Sequence, residues 1–165
     1  MPESDLQAAL IALSTSGVEF ILVGGMAAVL NGAPVQTYDV DIVPARTAEN
    51  IAKLLRVLDS IDAIYRVQPA RRLKPDASHL SSPGRHNLIT SLCALDILGT
   101  IGRGLAYEDL LPHASEMKIS EDIRIRVLNL AKIIALKEEI GGEKDLAMLP
   151  ILRRALELQR KPDAE

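Results

Sequence analysis

Two aspartates stand one residue apart in residues 37–43 (TYDVDIV), where most other positions are apolar. Alternate side chains of a β-strand point to the same face, so we expect Asp39 and Asp41 to lie side by side. The side chains of Val40 and Ile42 then enter the core. Two adjacent carboxylates repel each other, and a bound cation removes that repulsion. Since Mg²⁺ is usually held by one or two carboxylates together with substrate phosphates, the pair favours a metal site on this strand.

A Gly-Gly pair precedes this strand. Gly24 and Gly25 follow an apolar run at residues 19–23, which predicts a buried strand, and they open a short predicted helix over 26–31. Glycine lets the backbone approach a ligand closely, and the exposed N–H groups at the start of a helix bind phosphate. Taken alone, the two glycines indicate only a tight turn. Combined with the neighbouring aspartates, they predict a cradle for a nucleoside triphosphate beside its Mg²⁺.

Asp96 and Lys137 interrupt apolar patterns. Asp96 lies within SLCALDILGTI, and because an unpaired buried charge costs several kcal/mol we expect it to be paired or to reach solvent at a strand end. As a third carboxylate it could ligate a metal and accept a proton from an attacking hydroxyl. Lys137 lies on or beside the apolar face of a helix predicted over residues 128–140. Its ammonium group either extends past the core edge to water or reaches a triphosphate.

The hydrophobic pattern predicts a mixed α/β body followed by a helical segment. A Ser4–Gln7 capping box begins the first helix, and Thr47 caps the helix predicted over residues 48–60. Residues 68–86 contain three prolines and predict an irregular loop. Helices are expected over residues 4–16, 48–60, 107–111, 128–140 and 144–160. Further strands are expected at residues 61–67 and 88–98, the second either unbroken or with a turn before Asp96. Residues 117–119 and 123–127 are expected to form a hairpin.

The chain length of 165 residues is enough for one domain with a sizeable core. We divide it into a core, residues 1–127, and a C-terminal helical segment, residues 128–165, packed on the same domain. Cys93 is the only cysteine, which excludes a disulfide framework and fits a reducing compartment. The chain does not begin with a signal-peptide pattern, and its longest apolar run is too short to span a bilayer. These features predict a cytoplasmic protein without a membrane segment.

The overall charge offers no general attraction to nucleic acid, because the net charge is −3 and aromatic residues for base stacking are few. One stretch differs: residues 66–87 hold five Arg or Lys against one acid. A solvated loop explains this composition, and a local anion-binding surface is the other explanation. If the stretch binds an anion, the candidates for contacting an RNA acceptor are Arg71, Arg72 and Arg85.

The segment LVGGMAAVLNGAPVQTYDVDIV resembles the minimal nucleotidyltransferases of the DNA polymerase β superfamily, with a closer likeness to the bacterial AbiEii-type, toxin-like group. The shared features are the Gly24–Gly25 turn, a short helix that ends at Gly32, and a T-x-D-h-D strand that begins at Thr37. The likeness continues through ALDIL, YEDLL, IRVLNLAKIIALK and EKDLAMLPIL. It implies an α+β fold with a small, mixed, mostly antiparallel sheet flanked by helices and followed by a helical segment.

The resemblance also implies an activity: Mg²⁺-dependent, two-metal transfer of a nucleoside monophosphate from a nucleoside triphosphate to an acceptor hydroxyl. Relatives modify tRNA, proteins or small molecules, and a toxin-like member implies a cognate antitoxin. On this likeness the catalytic and metal-binding residues are Asp39, Asp41 and Asp96. The implied nucleotide-binding residues are Gly24, Gly25, Thr37, Lys137, Lys144 and Asp145.

Two positions depart from the family pattern. Relatives often carry arginines where this chain has Val35 and where it has residues 142–143, so two cations for phosphate are missing. The alternative function is therefore a catalytically weak nucleotide-binding or partner-binding protein with the same fold. Haloacid-dehalogenase-like phosphatases and glycosyltransferases also use D-x-D patterns. A phosphatase of this type is disfavoured because Pro34 and Gln36 precede the aspartates in place of an apolar strand. A glycosyltransferase is disfavoured because glycosyltransferase domains are usually larger.

Overall fold

The computed structural model describes residues 5–161, and seven strands in this range form one sheet. Only short strands are needed, because buried strands of four to six residues fill the width of a small domain. The strands are β1 (Phe20–Val23), β2 (Asp39–Pro44), β3 (Ile64–Tyr65), β4 (Arg85–Ile89), β5 (Ala94–Leu98), β6 (Ala114–Ser120) and β7 (Ile123–Leu128).

Helices connect and cover these strands. Two single turns of 3₁₀-helix, Pro69–Arg71 and Leu111–His113, lie in the connections. The α-helices in the described range are α1 (Leu6–Thr15), α2 (Gly24–Leu30), α3 (Ala48–Ser60), α4 (Ala77–Leu80), α5 (Tyr107–Leu110), α6 (Leu130–Ile140) and α7 (Glu143–Arg160).

The sheet has the strand order β3-β4-β5-β2-β1-β7-β6. The pairs β2–β5 and β1–β7 are parallel, and the other four neighbouring pairs are antiparallel. The prediction of an α+β fold with a mixed, mostly antiparallel sheet is therefore confirmed. All four residues of β1 are buried, whereas β2 alternates between half-buried and buried residues over its first four positions. This alternation directs the side chains of Val40 and Ile42 into the core and leaves the aspartates on the open face.

Several local predictions can be compared with the structure. The Thr47 hydroxyl accepts a hydrogen bond from the Asn50 N–H and caps α3, which confirms that prediction. Ser4 lies outside the described residues, and the carboxylate of Asp5 caps α1 by accepting from the Ala8 N–H. The side chain of Gln7 does not fold back on the helix end, because it donates to the Ile119 carbonyl at 2.7 Å.

Of the two forms predicted for residues 88–98, the structure has the one with a turn before Asp96. The region is a hairpin of β4 and β5, and β4 begins at Arg85, inside the stretch predicted to be a loop. The Thr90 hydroxyl accepts hydrogen bonds from the N–H groups of Leu92 and Cys93 and so builds the turn. Because this turn, residues 90–93 (TSLC), contains neither glycine nor proline, its sequence gives only a weak turn signal. The stretch predicted to be irregular also contains α4, which Asp76 caps.

The last two helices contribute to the same buried core as the sheet. Leu130 and Ile133 of α6 and Leu149 and Leu152 of α7 are buried in the cluster that includes the sheet residues. Leu128 belongs to β7 and not to the predicted helix, so α6 begins two residues later. The division at residue 127 stays a prediction. None of the helices within residues 5–161 is long and apolar enough to cross a membrane.

Candidate active site

Three aspartates meet on the open face of the sheet, and we call them the carboxylate triad. Asp39 and Asp41 lie on the same face of β2, and Asp96 lies on the adjacent parallel strand β5 with its Cα opposite that of Asp41. One carboxylate oxygen from each residue lies within 4.8 Å of the other two. The register of the β2–β5 pair therefore brings Asp96 beside Asp39 and Asp41, although positions 41 and 96 are 55 residues apart in the sequence.

The environment of Asp39 and Asp41 opposes negative charge. Burial, the charge of Asp39 and a hydrogen bond to Asp96 together raise the pKa of Asp41 to about 7. Burial and the charge of Asp96 also raise the pKa of Asp39. No Lys, Arg or His among residues 5–161 forms an ion pair with Asp39 or Asp41. Converging carboxylates that lack a protein cation form a donor set suited to a hard divalent ion such as Mg²⁺.

Asp96 differs from the other two because it is paired. Its side chain is only 1% exposed, and it forms ion pairs with Arg66 at 2.8 Å and with Arg85 at 3.2 Å. Arg66 also donates to the Leu88 carbonyl at 3.0 Å, and the Nε–H of Arg85 donates to the Asn87 side chain at 2.8 Å. The structure thus confirms that the acid in the apolar run is paired.

Sequence reasoning missed the role of Arg66, which it counted only as part of the basic stretch. Arg66 follows β3 directly, and its ion pair with Asp96 spans 30 residues. That contact depends on β4 lying between β3 and β5, which the sequence did not predict. No motif in the sequence marks this arginine among its basic neighbours.

The two glycines touch the aspartate strand. Gly24 has φ +70°, and a Cβ atom at this position would overlap the carboxylate of Asp41. A Cβ atom on Gly25 would lie 2.8 Å from the hydroxyl oxygen of Thr37. That hydroxyl in turn donates to the Asp39 carbonyl at 3.3 Å. The structure therefore brings Gly24, Gly25 and Thr37 to the triad, and the lack of side chains on the glycines is what permits this close approach.

One cavity beside the triad has a volume of about 410 Å³, and we call it the Gly24 pocket. Its polar wall includes Gly24, Asp41, Arg85, Lys137 and Asp145. The ammonium group of Lys137 is 3.0 Å from the carboxylate of Asp145, so this half-buried lysine reaches the site from α6. The apolar wall comes from β1, β5, β7, α6 and the connection after β5: Val23, Leu98, Ile101, Leu128, Ile133, Leu136 and Ile140.

A second cavity opens next to Asp39, has a volume of about 440 Å³, and is called the Tyr38 cleft below. Its walls include Gln36, Tyr38, Arg66 and Ile89. The cleft and the Gly24 pocket have no lining residue in common. Each of them borders one aspartate of the D-x-D pair: Asp41 lines the Gly24 pocket, and Asp39 lines the Tyr38 cleft.

Three predicted site residues are not brought to the triad. Lys144 is exposed at the start of α7 and lines neither cavity. Arg71 bonds to the side chain of Gln68, and Arg72 lies 3.8 Å from Asp62. Neither arginine lines the two cavities, whereas Arg85, predicted with them as an acceptor contact, lines the Gly24 pocket.

Comparisons with known proteins identify the fold. No protein-family model matches the sequence, and a search of curated proteins finds no match. The solved structure of LnuA, a lincosamide antibiotic adenylyltransferase with lincomycin bound, superposes with a TM-score of 0.59 at 15% sequence identity, over 92% of this chain and 99% of that chain. A proposed nucleotidyltransferase from Thermotoga maritima superposes with a TM-score of 0.55 at 18% identity, over 92% and 90% of the two chains.

The chain therefore has the fold of the nucleotidyltransferases. At these identities the likeness concerns the fold, and the similarity to the AbiEii-type group stays a prediction from the sequence motifs. The roles of the individual site residues likewise stay predictions, which the geometry above makes specific enough to test.

Proposed function

We propose that the chain transfers a nucleoside monophosphate from a nucleoside triphosphate to an acceptor hydroxyl, with Mg²⁺ held by Asp39, Asp41 and Asp96. The observation that carries this proposal is the triad, whose carboxylate oxygens converge within 4.8 Å while two of the acids lack a cationic partner among residues 5–161. Acids in such an arrangement destabilise a fold unless a cation neutralises them. A purely structural function does not explain their convergence beside two cavities.

The proposed reaction is a displacement at phosphorus. The acceptor oxygen forms a bond to the α-phosphorus, the bond from that phosphorus to the bridging oxygen breaks, and pyrophosphate leaves with the electron pair. The proton of the acceptor hydroxyl passes to a carboxylate of the triad or to water. Bound Mg²⁺ would neutralise phosphate charge and lower the pKa of the attacking hydroxyl. The protein contributes mainly by positioning the reactants and by stabilising the developing charge.

The Gly24 pocket is the proposed nucleotide site. Gly24 borders Asp41, so phosphates can approach the backbone and the metal ligands together. Arg85 and Lys137 add two cations to this wall. In this proposal Lys137 exchanges its contact with Asp145 for a phosphate, and the apolar wall receives the base and sugar. Gly25 and Thr37 support the turn, whereas Lys144 reaches the nucleotide only if α7 shifts on binding.

The relatives by fold support a transferase. LnuA is named as an adenylyltransferase, and this chain spans 99% of its length, so the two share the whole architecture. A tRNA acceptor, a toxin role and an antitoxin partner are expectations from the sequence resemblance alone. The alternative, a nucleotide-binding protein with little activity, predicts Mg²⁺-dependent binding without a product.

Label transfer tests the proposal directly. We would incubate the purified chain with Mg²⁺, each of the four α-labelled nucleoside triphosphates, and a cell extract, and include the Asp39→Asn, Asp41→Asn double variant. Label that reaches an acceptor with the natural chain and not with the variant supports nucleotidyl transfer. Binding of a nucleoside triphosphate with release of neither labelled product nor pyrophosphate would favour the binding-protein alternative.

The stabilisation of the chain by Mg²⁺ is expected to be greater at about pH 8 than at about pH 6. The pKa of Asp41 rises from 3.8 to about 7 in the metal-free fold, so a proton competes with the metal below neutral pH. The same shift gives the metal-free chain a contribution to stability that is greatest below pH 4 and is lost as the pH rises to about 7. Melting temperatures with and without Mg²⁺ across this range measure both effects. A metal-induced shift that does not change with pH would contradict the assignment of Asp41 as a ligand.

Replacing Arg85 with alanine is expected to weaken binding of Mg²⁺-nucleoside triphosphate by about tenfold, the usual effect of losing a charged hydrogen bond. Arg85 is 60% exposed and lines the Gly24 pocket while it holds Asp96, so it can contact a phosphate without losing its position. Titration calorimetry with a nucleoside triphosphate and with the monophosphate would measure the effect, which should be larger for the triphosphate. Arg154→Ala on α7 is the matched control, because within residues 5–161 the ion pair of Arg154 is with its helix neighbour Glu157. Equal losses for both nucleotides would contradict a contact to the β- or γ-phosphate.

A further inference from the structure

The Tyr38 cleft has a defined place in the proposed reaction. In a displacement at phosphorus, the attacking and leaving oxygens lie roughly in line on opposite sides of the transferred group. If the nucleotide lies in the Gly24 pocket, the acceptor therefore approaches the triad from another side. The Tyr38 cleft shares no lining residue with the Gly24 pocket and borders Asp39, which has a carboxylate oxygen within 4.8 Å of oxygens of Asp41 and Asp96. Of the cavities described above, it is the one positioned to hold an acceptor.

The walls of the cleft are suited to an apolar or carbohydrate surface. The side chain of Tyr38 is 73% exposed and that of Ile89 is 43% exposed, although both are large and apolar enough to favour burial. The Tyr38 hydroxyl donates to the side-chain oxygen of Gln36 at 3.0 Å, which holds the ring at the edge of the cleft. Small-molecule sites typically combine such apolar surfaces with a few polar groups that fix orientation. Here Gln36 and Asp39 supply those polar groups.

The charge of the cleft does not suit a polyanion. Its one cationic residue among residues 5–161 is Arg66, whose guanidinium group is already bound to Asp96 and to the Leu88 carbonyl. Arg71 and Arg72 do not line the cleft. Proteins that hold a nucleic-acid strand use a row of basic residues along the phosphate backbone, and a carboxylate at the reacting end of the cleft works against such binding. Of the basic stretch, only Arg66 therefore reaches the cleft within residues 5–161, and its charge is already paired with Asp96.

We infer that the Tyr38 cleft binds the acceptor, and that this acceptor is a small, uncharged compound with a hydroxyl group beside an apolar or sugar-ring face. The inference rests on the proposed nucleotidyl transfer and specifies its second substrate. The volume of about 440 Å³ is within the range of small-molecule sites. The acceptor hydroxyl faces Asp39, its oxygen becomes bonded to the α-phosphorus, and pyrophosphate is released from the Gly24 pocket.

The test separates acceptors by size. An extract of the source cells is passed through a filter that retains RNA and protein, and filtrate and retained material are each incubated with the full chain, Mg²⁺ and α-labelled nucleoside triphosphates. Label on a compound of the filtrate is the expected result. Label only on RNA or protein overturns the inference and leaves nucleotidyl transfer standing.

Nucleotide binding is measured separately by titration calorimetry, so that two kinds of failure can be told apart. A chain that binds Mg²⁺-nucleoside triphosphate but labels neither fraction overturns the inferred acceptor class. A chain that binds no nucleoside triphosphate overturns the proposed function itself.

Variants then locate the acceptor site. Tyr38→Ser and Ile89→Ser are each expected to raise the KM for the labelled filtrate compound by about tenfold, since each removes apolar surface from the cleft. The affinity for the nucleotide should not change, because neither residue lines the Gly24 pocket. The Arg71→Glu, Arg72→Glu double variant is the matched control and should keep the same KM. A rise in KM in the arginine variant, with none in the serine variants, places the acceptor on the basic stretch and overturns the assignment of the cleft.

Discussion

Replacing Asp41 with asparagine is expected to lower nucleotidyl transfer by about 1000-fold, as does the loss of a major electrostatic group in other active sites. The same change should raise the melting temperature of the metal-free chain at about pH 8. The pKa of Asp41 is raised to about 7 because burial and the neighbouring carboxylates oppose its charge, and asparagine removes that charge without changing the shape of the side chain. Activity and stability then change in opposite directions, which is characteristic of a group retained for function.

The pH dependence of that gain in stability distinguishes electrostatic relief from a packing effect. Asp41 takes up its proton in the fold as the pH falls below about 7, so the advantage of asparagine should shrink steadily as the pH falls towards the ordinary aspartate value of 3.8. Adding Mg²⁺ should stabilise the natural chain and not the variant. Asp122→Asn, an exposed acid in the turn between β6 and β7, is the matched control and should change neither property. An Asp41→Asn chain that melts at a lower temperature than the natural one would show that the carboxylate supports the fold.

The part of the site that depends on local sequence was predictable. The alternation of β2 placed Asp39 and Asp41 on one face, and the apolar run before Gly24 marked β1 as a buried strand. Both predictions rest only on the two-residue period of a strand and on the chemistry of a few side chains. The close contact between Gly24 and Asp41 follows from the antiparallel pairing of β1 with β2, in which Val23 lies opposite Asp41.

The part that depends on strand order was not predictable from one sequence. Arg66 and Arg85 converge on Asp96 because β4 lies next to β5 and β3 lies next to β4. The Thr90 turn contains neither glycine nor proline, so the sequence allowed a turn before Asp96 without marking where β4 begins and ends. A register that is set by pairing between distant segments leaves no periodic signal in either segment.

This arrangement bears on the two arginines that the family pattern led us to expect near Val35 and residues 142–143. Arg85 of β4 stands in the wall of the Gly24 pocket, and Arg66 stands in the wall of the Tyr38 cleft. Both are anchored on the buried carboxylate of Asp96. The chain thus brings one arginine to each cavity from the strands on one side of the triad. The lack of arginine near Val35 and at residues 142–143 therefore does not by itself favour the alternative of a protein without activity.

Replacing Gly24 with alanine is expected to reduce transfer by about 100-fold, the size of effect that a displacement of about 1 Å in a catalytic group produces. The new Cβ atom would overlap the Asp41 carboxylate, so either the aspartate or the turn must move. Gly32→Ala is a closely matched control, because Gly32 also has a positive φ, of +94°, but a Cβ atom there has no neighbour within 4 Å. In both variants, alanine in a left-handed backbone conformation destabilises the fold by about 1 kcal/mol.

Comparing the two glycine variants separates the effect of displacing Asp41 from the effect of general destabilisation. Both should lose thermal stability through the left-handed backbone conformation, with a further loss in Gly24→Ala from the overlap with Asp41. Only Gly24→Ala should lose the stabilisation that Mg²⁺ gives. If both lose activity in proportion to their loss of stability, then the contact between Gly24 and Asp41 has no specific role. If Gly24→Ala alone loses activity and its response to Mg²⁺, the close packing of the Gly-Gly turn on the aspartate strand is what holds the metal ligand in place, and a larger residue at this position is incompatible with the proposed site.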